Sequence, residues 1–236
     1  MARGLCESRE QAKRLVIAGQ VKVGGHVVSK PASPIDPGAE IAIAERPKFV
    51  GRGGFKLEGA LDAFAIDVRG RVCLDAGAST GGFTDCLLQR GAARVHAYDV
   101  GTNQLAWKLR NDERVVVRER FNLRRLTPGD LGETVDLAVI DVSFISLRLI
   151  LPPVIRTLAP GGEVVCLIKP QFELGREKVG KGGIVRDPER HREAVDGIRR
   201  FVASHCEEIR WSGLIPSPIT GTDGNTEFLA WLTTGK

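Results

Sequence analysis

The sequence lacks several features that would place a protein in a specialised class. None of its apolar runs reaches the roughly 18–20 residues that a membrane-spanning helix needs. The first residues, MARGLCESREQAK, contain no apolar stretch like the centre of a secretory signal peptide. The mean hydropathy is -0.07, close to zero, so we expect a globular cytoplasmic protein that does not span a membrane.

Cysteine is scarce and dispersed. The five cysteines, none spaced as CxxC, are Cys6, Cys73, Cys86, Cys166 and Cys206. An odd, scattered set argues against a disulfide framework and against a structural zinc site. Cys73 and Cys166 lie in apolar segments that read as strands, where a reduced thiol behaves as a small hydrophobic side chain. We expect structural thiols and no bound metal.

Positive charge is concentrated at the amino-terminal end. The whole chain has a net charge of +5, and its first 30 residues hold six Lys or Arg against two Glu. A basic segment on a nearly neutral body predicts an anionic partner, most commonly nucleic acid, and the alternative is a solvated helix face. The candidate nucleic-acid-binding residues in this segment are Arg9, Lys13, Arg14 and Lys22.

Residues 1–46 are predicted to form a small α+β module. Ser8, with a glutamine three residues later, is typical of a helix start, and Gly19 is typical of a helix end. The stretch VKVGGHVV predicts a β-hairpin that turns at its two glycines. AEIAIAE predicts a third strand after a loop.

Residues 51–236 show alternating strands and helices, and residues 47–50 are the predicted linker. The predicted strands are RVCLDAG, RVHAYDV, RVVVRE, VDLAVIDVS, GEVVCLIKP, EEIRWSGLI and TEFLAWL. The predicted helices are GFTDCLLQRG, ISLRLILPPVIRTLAPGG and DPERHREAVDGIRRFVASH, and Gly161-Gly162 are predicted to end an element. This alternation predicts an α/β, Rossmann-like, doubly wound sheet that is mostly parallel, with the last strand antiparallel.

The first strand of this sheet leads into a glycine-rich loop, LDAGASTGGFTDCLL, at the edge where such sheets bind ligands. Gly77, Gly81 and Gly82 allow a tight turn and a close approach to a ligand. Asp99 ends the next strand, where it suits the two hydroxyls of a ribose. The loop is not the GxGxxG of dinucleotide sites, and Asp75 suits a cationic sulfonium better than a pyrophosphate. The pattern therefore favours S-adenosylmethionine over a dinucleotide without excluding the latter.

Four ionisable residues lie at other predicted element ends. Asp141 and Lys169 follow strands, Glu227 precedes the last strand, and Lys56 begins a helix before the first strand. Each alone is more often a solvated charge or half of a structural ion pair than a catalytic group. If the last strand runs antiparallel, all four face one pocket.

Two resemblances connect these residues. SREQAKRLVIAGQVKVGGHVVSKP resembles the S4-type RNA-binding module, which usually starts with a further basic helix, so this module is expected to be shortened. The order Lys56, Asp141, Lys169, Glu227 resembles the K-D-K-E tetrad of the FtsJ-like ribose 2′-O-methyltransferases. GRGGFKL, LDAGASTGGFTDCLL, DVSFISL, IKPQFE and NTEFL resemble stretches of the TlyA family, sometimes labelled haemolysin A.

The resemblance implies an enzyme that methylates a cytidine ribose in ribosomal RNA, with S-adenosylmethionine as cofactor and ribosomal RNA or a ribosomal subunit as partner. The cofactor-binding residues that it implies are Asp75, Gly77, Ala78, Ser79, Gly81, Gly82, Asp99, Asn122, Leu123 and Asp141. Arg52 and Lys181 join the candidate RNA-binding residues. Lys181 lies in the loop ELGREKVGKGGIVRD, which could close on phosphates.

The chemistry expected of such a site centres on a 2′-hydroxyl, which is a poor nucleophile at neutral pH. Its proton must be removed and its oxygen aligned with the methyl group. Lys169 is the predicted base, while Lys56, Asp141 and Glu227 position the amine and the hydroxyl without a metal. The neighbouring ammonium of Lys56 and partial burial favour the neutral form of the Lys169 amine, and the carboxylates oppose it.

Three other functions remain open from the sequence. A dinucleotide oxidoreductase could use the same sheet, but it would need room for a second substrate domain. A ribosome-assembly factor could bind RNA without turnover, although the complete tetrad argues against a dead enzyme. A membrane-active toxin, as the haemolysin label suggests, would need a spanning or amphipathic membrane segment, and none is visible.

Overall fold

The computed structural model describes residues 3–6, 8–17, 19–43 and 47–235, in two compact units, Met1–Lys48 and Phe49–Lys236. The first unit contains one helix and a three-stranded antiparallel sheet in the order β2-β1-β3. Its elements are α1 (Arg9–Ile17), β1 (Val21–Val23), β2 (His26–Val28) and β3 (Ile41–Ile43).

Local sequence explains these elements. The Ser8 hydroxyl accepts a hydrogen bond from the backbone N–H of Gln11 at 3.1 Å, which satisfies one of the free donors at the start of α1. Gly24 and Gly25 have φ values of +54° and +84°, as a tight hairpin turn requires. The predicted helix, hairpin and third strand are confirmed, and positions 44 and 45 of the strand prediction lie outside the described residues.

The second unit is built on a seven-stranded sheet in the order β6-β5-β4-β7-β8-β10-β9. Its strands are β4 (Val72–Ala76), β5 (Arg94–Tyr98), β6 (Val115–Arg118), β7 (Val135–Ile140), β8 (Leu158–Ile168), β9 (Ile209–Pro216) and β10 (Phe228–Thr234). Neighbours from β6 to β8 pair in parallel, and β10 is antiparallel to both β8 and β9. The predicted mostly parallel sheet with an antiparallel last strand is confirmed.

Helices cover both faces of this sheet. They are α2 (Gly53–Ala63), α3 (Gly82–Gln89), α4 (Trp107–Arg110), α5 (Pro128–Leu131), α6 (Leu151–Ile155), α7 (Pro170–Glu173) and α8 (Pro188–His205). Alternate strand residues point to opposite faces, so Cys73 packs in the core under α2 and α3, whereas Leu74 packs in the core under α6 and α8. Burial on two faces explains why these strands are apolar throughout.

One boundary prediction is wrong. Gly161-Gly162 do not end an element, and the helical pattern predicted up to residue 162 stops at Ile155, because β8 already begins at Leu158. Leu158 pairs with Val135, and an irregularity in the register accommodates the extra residues. Gly161 has a φ of +79°, which lets the strand bend there. The pairing partner is 23 positions away in the sequence, so local periodicity could not reveal it.

Candidate active site

The loop after β4 is held against the carboxyl ends of β5 and β7. The backbone N–H groups of Gly77 and Ala78 donate to the carbonyl oxygen of Tyr98 at 2.9 and 3.2 Å. Gly77 has a φ of +96°, and a Cβ at this position would lie 2.5 Å from the backbone oxygen of Asp141. Glycine at position 77 therefore allows the loop to touch the end of β7.

Asp99, which follows β5, faces this loop. Its Oδ2 accepts a hydrogen bond from the backbone N–H of Ser79 at 2.8 Å, and its Oδ1 accepts one from Gly101 at 2.6 Å. A carboxylate has about four lone-pair positions, so Asp99 can still accept hydrogen bonds from two hydroxyls. Beside it opens a cavity of about 830 Å³, which we call the Asp99 cavity. Its lining includes the predicted residues Gly77, Ser79, Asp99, Asn122, Leu123 and Asp141.

Asp75 does not line this cavity, and its contact with a cofactor stays a prediction. Asp75 is fully buried, and its Oδ2 accepts hydrogen bonds from the backbone N–H and the hydroxyl of Thr84 at 2.9 and 2.6 Å. Burial raises the pKa of Asp75 to about 7, against the opposing effect of these hydrogen bonds. Its carboxyl group therefore fastens the start of α3 to β4 from inside the protein.

Gly81 does not line the Asp99 cavity either, and its contact with a cofactor stays a prediction. Its φ is +95°, and a Cβ there would lie 2.3 Å from Leu109 Cδ1 and 2.7 Å from Leu105 Cδ1. Gly81 therefore lets the loop reverse direction close to these two leucines. Ala78 and Gly82 do line a cavity, but it is the neighbouring one described next.

Lys56, Asp141, Lys169 and Glu227 converge on a second cavity, of about 490 Å³, which we call the tetrad cavity. Lys56 Nζ lies 2.6 Å from Glu227 Oε2, and Lys169 Nζ lies 2.6 Å from Asp141 Oδ1. Each lysine is only 8% exposed. Because an unpaired ammonium is costly to bury, the two ion pairs explain how both amines can be held at the edge of an apolar core.

The sheet register explains this convergence. Phe228 of β10 lies opposite Ile168 of β8 in an antiparallel pair, so Glu227 and Lys169, one residue further, lie at the same edge. Asp141 follows β7, the parallel neighbour of β8. The beginning of α2 lies close to Asp141, since a Cβ at Gly53 would lie 3.7 Å from Asp141 Oδ2. The antiparallel last strand is thus what brings Glu227 to the other three side chains.

The amine of Lys169 has a second partner that the sequence did not reveal. Lys169 Nζ donates a hydrogen bond to Ser143 Oγ at 2.9 Å. Asp141 Oδ1 is nearer, but among the described residues it accepts no hydrogen bond of acceptable geometry. The contact with Asp141 is therefore an ion pair, and Ser143 determines the direction of one N–H.

Two aromatic side chains at the mouth of the tetrad cavity were also missed. Phe144 is 92% exposed, its φ is +62°, and its ring centroid lies 5.0 Å from that of Phe172. An exposed aromatic side chain on left-handed backbone is uncommon and marks a candidate functional position. Both residues lie in stretches quoted for the family resemblance, but no sequence pattern signals an exposed phenylalanine or a positive φ.

The two cavities adjoin each other. The residues that line both are Gly77, Ser79, Asp141, Ser143 and Phe144. The segment before Glu227 also lines the tetrad cavity, with Thr220, Gly221, Thr222 and Asp223. None of these four residues was predicted from the sequence to belong to the site. A ligand in the Asp99 cavity could therefore reach the tetrad across Gly77 and Asp141.

The basic loop after α7 is anchored at its carboxyl-terminal end. Asn225 is 1% exposed, its Oδ1 accepts a hydrogen bond from the N–H of Val185, and its Nδ2 donates one to the carbonyl of Gly183, both at 2.9 Å. A ring nitrogen of His191 lies 2.8 Å from the carbonyl oxygen of Val185. Closure of this loop on phosphates stays a prediction.

The predicted RNA-binding residues are all at the surface. In the first unit, Arg9, Lys13, Arg14 and Lys22 are exposed. In the second unit, Arg52 and Lys181 are exposed; Arg52 also lines the tetrad cavity and donates to the carbonyl of Thr220 at 3.0 Å. Their contact with RNA stays a prediction.

Two features are absent from the part of the chain that the structure describes. No helix in residues 3–6, 8–17, 19–43 and 47–235 is long and apolar enough to cross a membrane. Within the same ranges, no group of three or more His, Cys, Asp or Glu is arranged to hold a metal ion.

The strand order, the glycine loop after the first strand and the acid after the second are features of the fold that S-adenosylmethionine-dependent methyltransferases share. A solved structure of this class is the N-methyltransferase NodS of Bradyrhizobium japonicum with S-adenosyl-L-homocysteine. It is 15% identical, with a TM-score of 0.53, and the match covers 77% of this chain and 88% of that chain. This likeness shows the common fold.

The chain belongs to the FtsJ-like methyltransferase family, whose model matches residues 49–234, and an S4 domain model matches residues 1–41. A similar relative is the 16S/23S rRNA (cytidine-2′-O)-methyltransferase TlyA of Mycobacterium tuberculosis. It is 49% identical over 237 residues, which cover 98% of this chain and 87% of the relative. A solved structure of a provisionally named hemolysin from Streptococcus thermophilus is 48% identical, with a TM-score of 0.78, and covers 100% of this chain and 86% of that chain.

Proposed function

We propose that this chain transfers a methyl group from S-adenosylmethionine to the ribose 2′-hydroxyl of a cytidine in ribosomal RNA, in the 23S molecule, the 16S molecule or both. The observation that carries the proposal is the meeting of two lysines and two carboxylates in one cavity that adjoins the Asp99 cavity. The similarity to the M. tuberculosis protein, whose name gives this reaction, supports it.

The Asp99 cavity fits S-adenosylmethionine. Its volume of about 830 Å³ lies within the range of small-molecule sites, roughly 300–1,000 Å³. The carboxylate of Asp99 would hold the ribose hydroxyls, while apolar lining residues such as Leu123 and Ile150 suit a purine face. Asp141, at the junction of the cavities, would lie beside the cationic sulfonium. When bound, the cofactor supplies an activated methyl group and a sulfur that accepts the electron pair of the broken bond.

Lys169 would act as the base. Before each turnover its ammonium releases a proton to solvent, and the neutral amine then takes the proton of the 2′-hydroxyl while the oxygen bonds to the methyl carbon. A positioned base of this kind contributes roughly 10²–10⁴-fold in rate. After transfer the ammonium is again paired with Asp141, at the 2.6 Å separation of the structure.

Lys56 and Glu227 would position the substrate. Their ion pair is 2.6 Å long, and both residues line the same cavity as Lys169. An ammonium donates hydrogen bonds and a carboxylate accepts them, so the pair can hold a hydroxyl oxygen and a hydroxyl hydrogen on neighbouring ribose positions. Holding the nucleophile in line with the methyl group supplies a large part of the rate enhancement in such reactions.

The aromatic pair at the cavity mouth would receive the nucleobase. The ring of Phe144 is exposed and lies 5.0 Å from the ring of Phe172, so it offers a face on which an unstacked base can lie. Stacking of a base on an aromatic side chain contributes about 1–3 kcal/mol. Placing the base on Phe144 would set its ribose above the tetrad.

RNA capture and methyl transfer would be divided between two domains. The proposal assigns RNA capture to residues 1–46, methyl transfer to residues 51–236, and the connection to the linker 47–50. Exposed cations such as Arg9 and Lys13 would neutralise phosphates, whose contribution to affinity falls as salt is raised. With ribosomal RNA as its substrate, the protein would act in the cytoplasm, where that RNA is found.

The decisive experiment is to map ribose methylation by mass spectrometry in 16S and 23S rRNA from cells with and without this protein. We expect one or two cytidines to carry a 2′-O-methyl group only when the protein is present. Purified protein and S-adenosylmethionine should restore the same modification on subunits from the deficient cells. Identical maps from the two strains would refute the proposed function.

A binding measurement separates the methyl donor from a dinucleotide. In a thermal-shift experiment, S-adenosylmethionine and S-adenosylhomocysteine should raise the melting temperature, because a ligand that binds only the folded state stabilises it. NAD should leave it unchanged at equal concentration. The opposite result would favour an oxidoreductase and contradict the assignment of the Asp99 cavity.

A further inference from the structure

Ser143 lies in the segment between Asp141 and Phe144. This residue is exposed, yet its hydroxyl oxygen accepts a hydrogen bond from Lys169 Nζ at 2.9 Å. It also lines both the tetrad cavity and the Asp99 cavity. Ser143 therefore joins a nearly buried amine to the junction of the two cavities, which a serine that contacts only solvent would not do.

A base needs direction as well as position. A neutral amine carries one lone pair and two N–H groups, so the nitrogen has four positions, of which Cε occupies one. The lone pair must point at the hydroxyl proton that it removes. An acceptor that holds one N–H therefore restricts the rotation of the amine about the Cε–Nζ bond and reduces the positions that the lone pair can take.

Ser143, more than Asp141, supplies this restriction. The Lys169–Ser143 contact has the distance and angles of a hydrogen bond. The contact between Lys169 Nζ and Asp141 Oδ1 has only the distance of an ion pair, since in the described part of the chain that oxygen accepts no hydrogen bond. The carboxylate therefore places the charge, while the hydroxyl orients the nitrogen.

The segment that carries Ser143 is held in place a few residues later, at Ser146 and Leu147. Glu173 is buried, and its two oxygens accept hydrogen bonds from the Ser146 hydroxyl at 2.6 Å and from the N–H of Leu147 at 2.8 Å. Burial raises the pKa of Glu173 above its usual value, against the effect of these two hydrogen bonds. Glu173 lies four residues after Lys169, so one short piece of chain carries both the amine and a carboxylate that holds Ser146 and Leu147, three and four residues after Ser143.

We propose that Ser143 is a positioning residue for the proposed methyl transfer, and that its hydroxyl aims the lone pair of Lys169 at the ribose 2′-hydroxyl. The role rests on the proposed function, because it acts through Lys169 as the base. Ser143 transfers no proton itself. Its hydroxyl accepts one N–H in the neutral amine before transfer and one in the ammonium after it.

The test compares Ser143→Ala with Ser143→Thr in full-length protein, with Ser212→Ala as the matched control. Ser212 lies on β9, and its hydroxyl bonds only to that of Thr233 among the hydrogen bonds described. Single-turnover methylation of subunits from deficient cells gives the rate. We expect Ser143→Ala to lower this rate about tenfold, the size of one lost hydrogen bond, while the RNA concentration that gives the half-maximal rate stays unchanged. Threonine keeps the hydroxyl and should restore most of the rate.

A second readout does not depend on turnover. Acetylation of lysines by limiting acetic anhydride, followed by peptide mass mapping, reports how freely each amine reacts. Ser143→Ala should increase the labelling of Lys169 severalfold, since this amine donates to Ser143. It should leave the labelling of Lys56 unchanged, since that amine donates to Glu227 instead.

The outcomes distinguish the two levels of the proposal. If wild-type protein transfers no methyl group, both the proposed function and the role of Ser143 are overturned. If wild-type protein is active and Ser143→Ala matches it in rate and in Lys169 labelling, only the role of Ser143 is overturned. A slow Ser143→Ala variant that threonine does not restore also contradicts the role, because the loss is then not that of the hydroxyl.

Discussion

Lys56 and Glu227 lie 171 positions apart in the chain, yet Lys56 Nζ lies 2.6 Å from Glu227 Oε2. Their side chains are 10% and 4% exposed, so almost all of both charged groups is removed from water. Removing one partner of such a pair leaves an uncompensated buried charge, whereas removing both leaves none. This pair fastens the start of α2 to the end of the sheet at the tetrad cavity.

A double-mutant cycle tests the coupling. Glu227→Gln alone should lower the free energy of unfolding by about 3 kcal/mol, and Lys56→Met combined with Glu227→Gln should cost clearly less than the sum of the two single changes. Urea denaturation of the four proteins measures this. Strict additivity would mean that the two groups do not interact in solution. All three variants should lose methyl transfer.

Asp75 predicts an unusual pH dependence of stability. Its pKa is about 7 in the folded protein, whereas an unfolded aspartate titrates near 3.9. Between these two values the folded protein holds a proton that the unfolded chain has released, so stability falls as pH rises through this window. The total effect is at most about 4 kcal/mol.

The change Asp75→Asn removes this titration while keeping an acceptor for Thr84. Urea denaturation at pH 4.5 and 7.5 should show that wild-type protein loses stability, relative to the variant, as the pH is raised. A difference between the two proteins that stays constant over this range would show that Asp75 is ionised throughout.

Gly77 allows the effect of close packing to be separated from that of backbone strain. Gly70 and Gly77 both have positive φ, +71° and +96°, but a Cβ at Gly70 would meet nothing within 4 Å, while one at Gly77 would lie 2.5 Å from Asp141 O. Gly70→Ala should cost about 1–2 kcal/mol from strain alone. Gly77→Ala should cost more and should abolish S-adenosylmethionine binding, as measured by calorimetry. Equal effects of the two changes would contradict the contact with Asp141.

Much of this site follows from sequence because a parallel sheet gathers its carboxyl ends at one edge. Lys169 and Asp141 follow directly from that rule, and Glu227 follows once the last strand is antiparallel. Asp75 could not be placed in the same way, because a strand pattern does not show whether a terminal carboxylate faces a cavity or caps the next helix. The extension of β8 back to Leu158 depends on pairing with Val135, and the exposure of Phe144 depends on a positive φ. Neither is encoded in local periodicity.

Asn225 is expected to hold the basic loop in place. Asn225→Ala would leave the N–H of Val185 and the carbonyl of Gly183 without their partner. Val185 is buried, and an unsatisfied buried group costs about 1–3 kcal/mol. Limited trypsin digestion, followed by mass spectrometry, should then cut at Lys178 and Lys181 many times faster than in wild-type protein. Asn111→Ala is the control, since Asn111 is exposed and makes a side-chain hydrogen bond to Trp107. Unchanged cleavage in Asn225→Ala would show that the loop is held by other contacts.

The most direct test of the account is single-turnover methyl transfer to ribosomal subunits by wild-type protein, Lys169→Ala and Lys169→Arg, with S-adenosylmethionine affinity measured by calorimetry on the same samples. Arginine keeps the positive charge but cannot lose its proton in a protein, so it separates a base from an electrostatic contact. We predict that both variants bind the cofactor like wild-type protein and transfer at least about 10²-fold more slowly. A Lys169→Arg variant that methylates at the wild-type rate would contradict the central claim that the Lys169 amine removes the ribose proton.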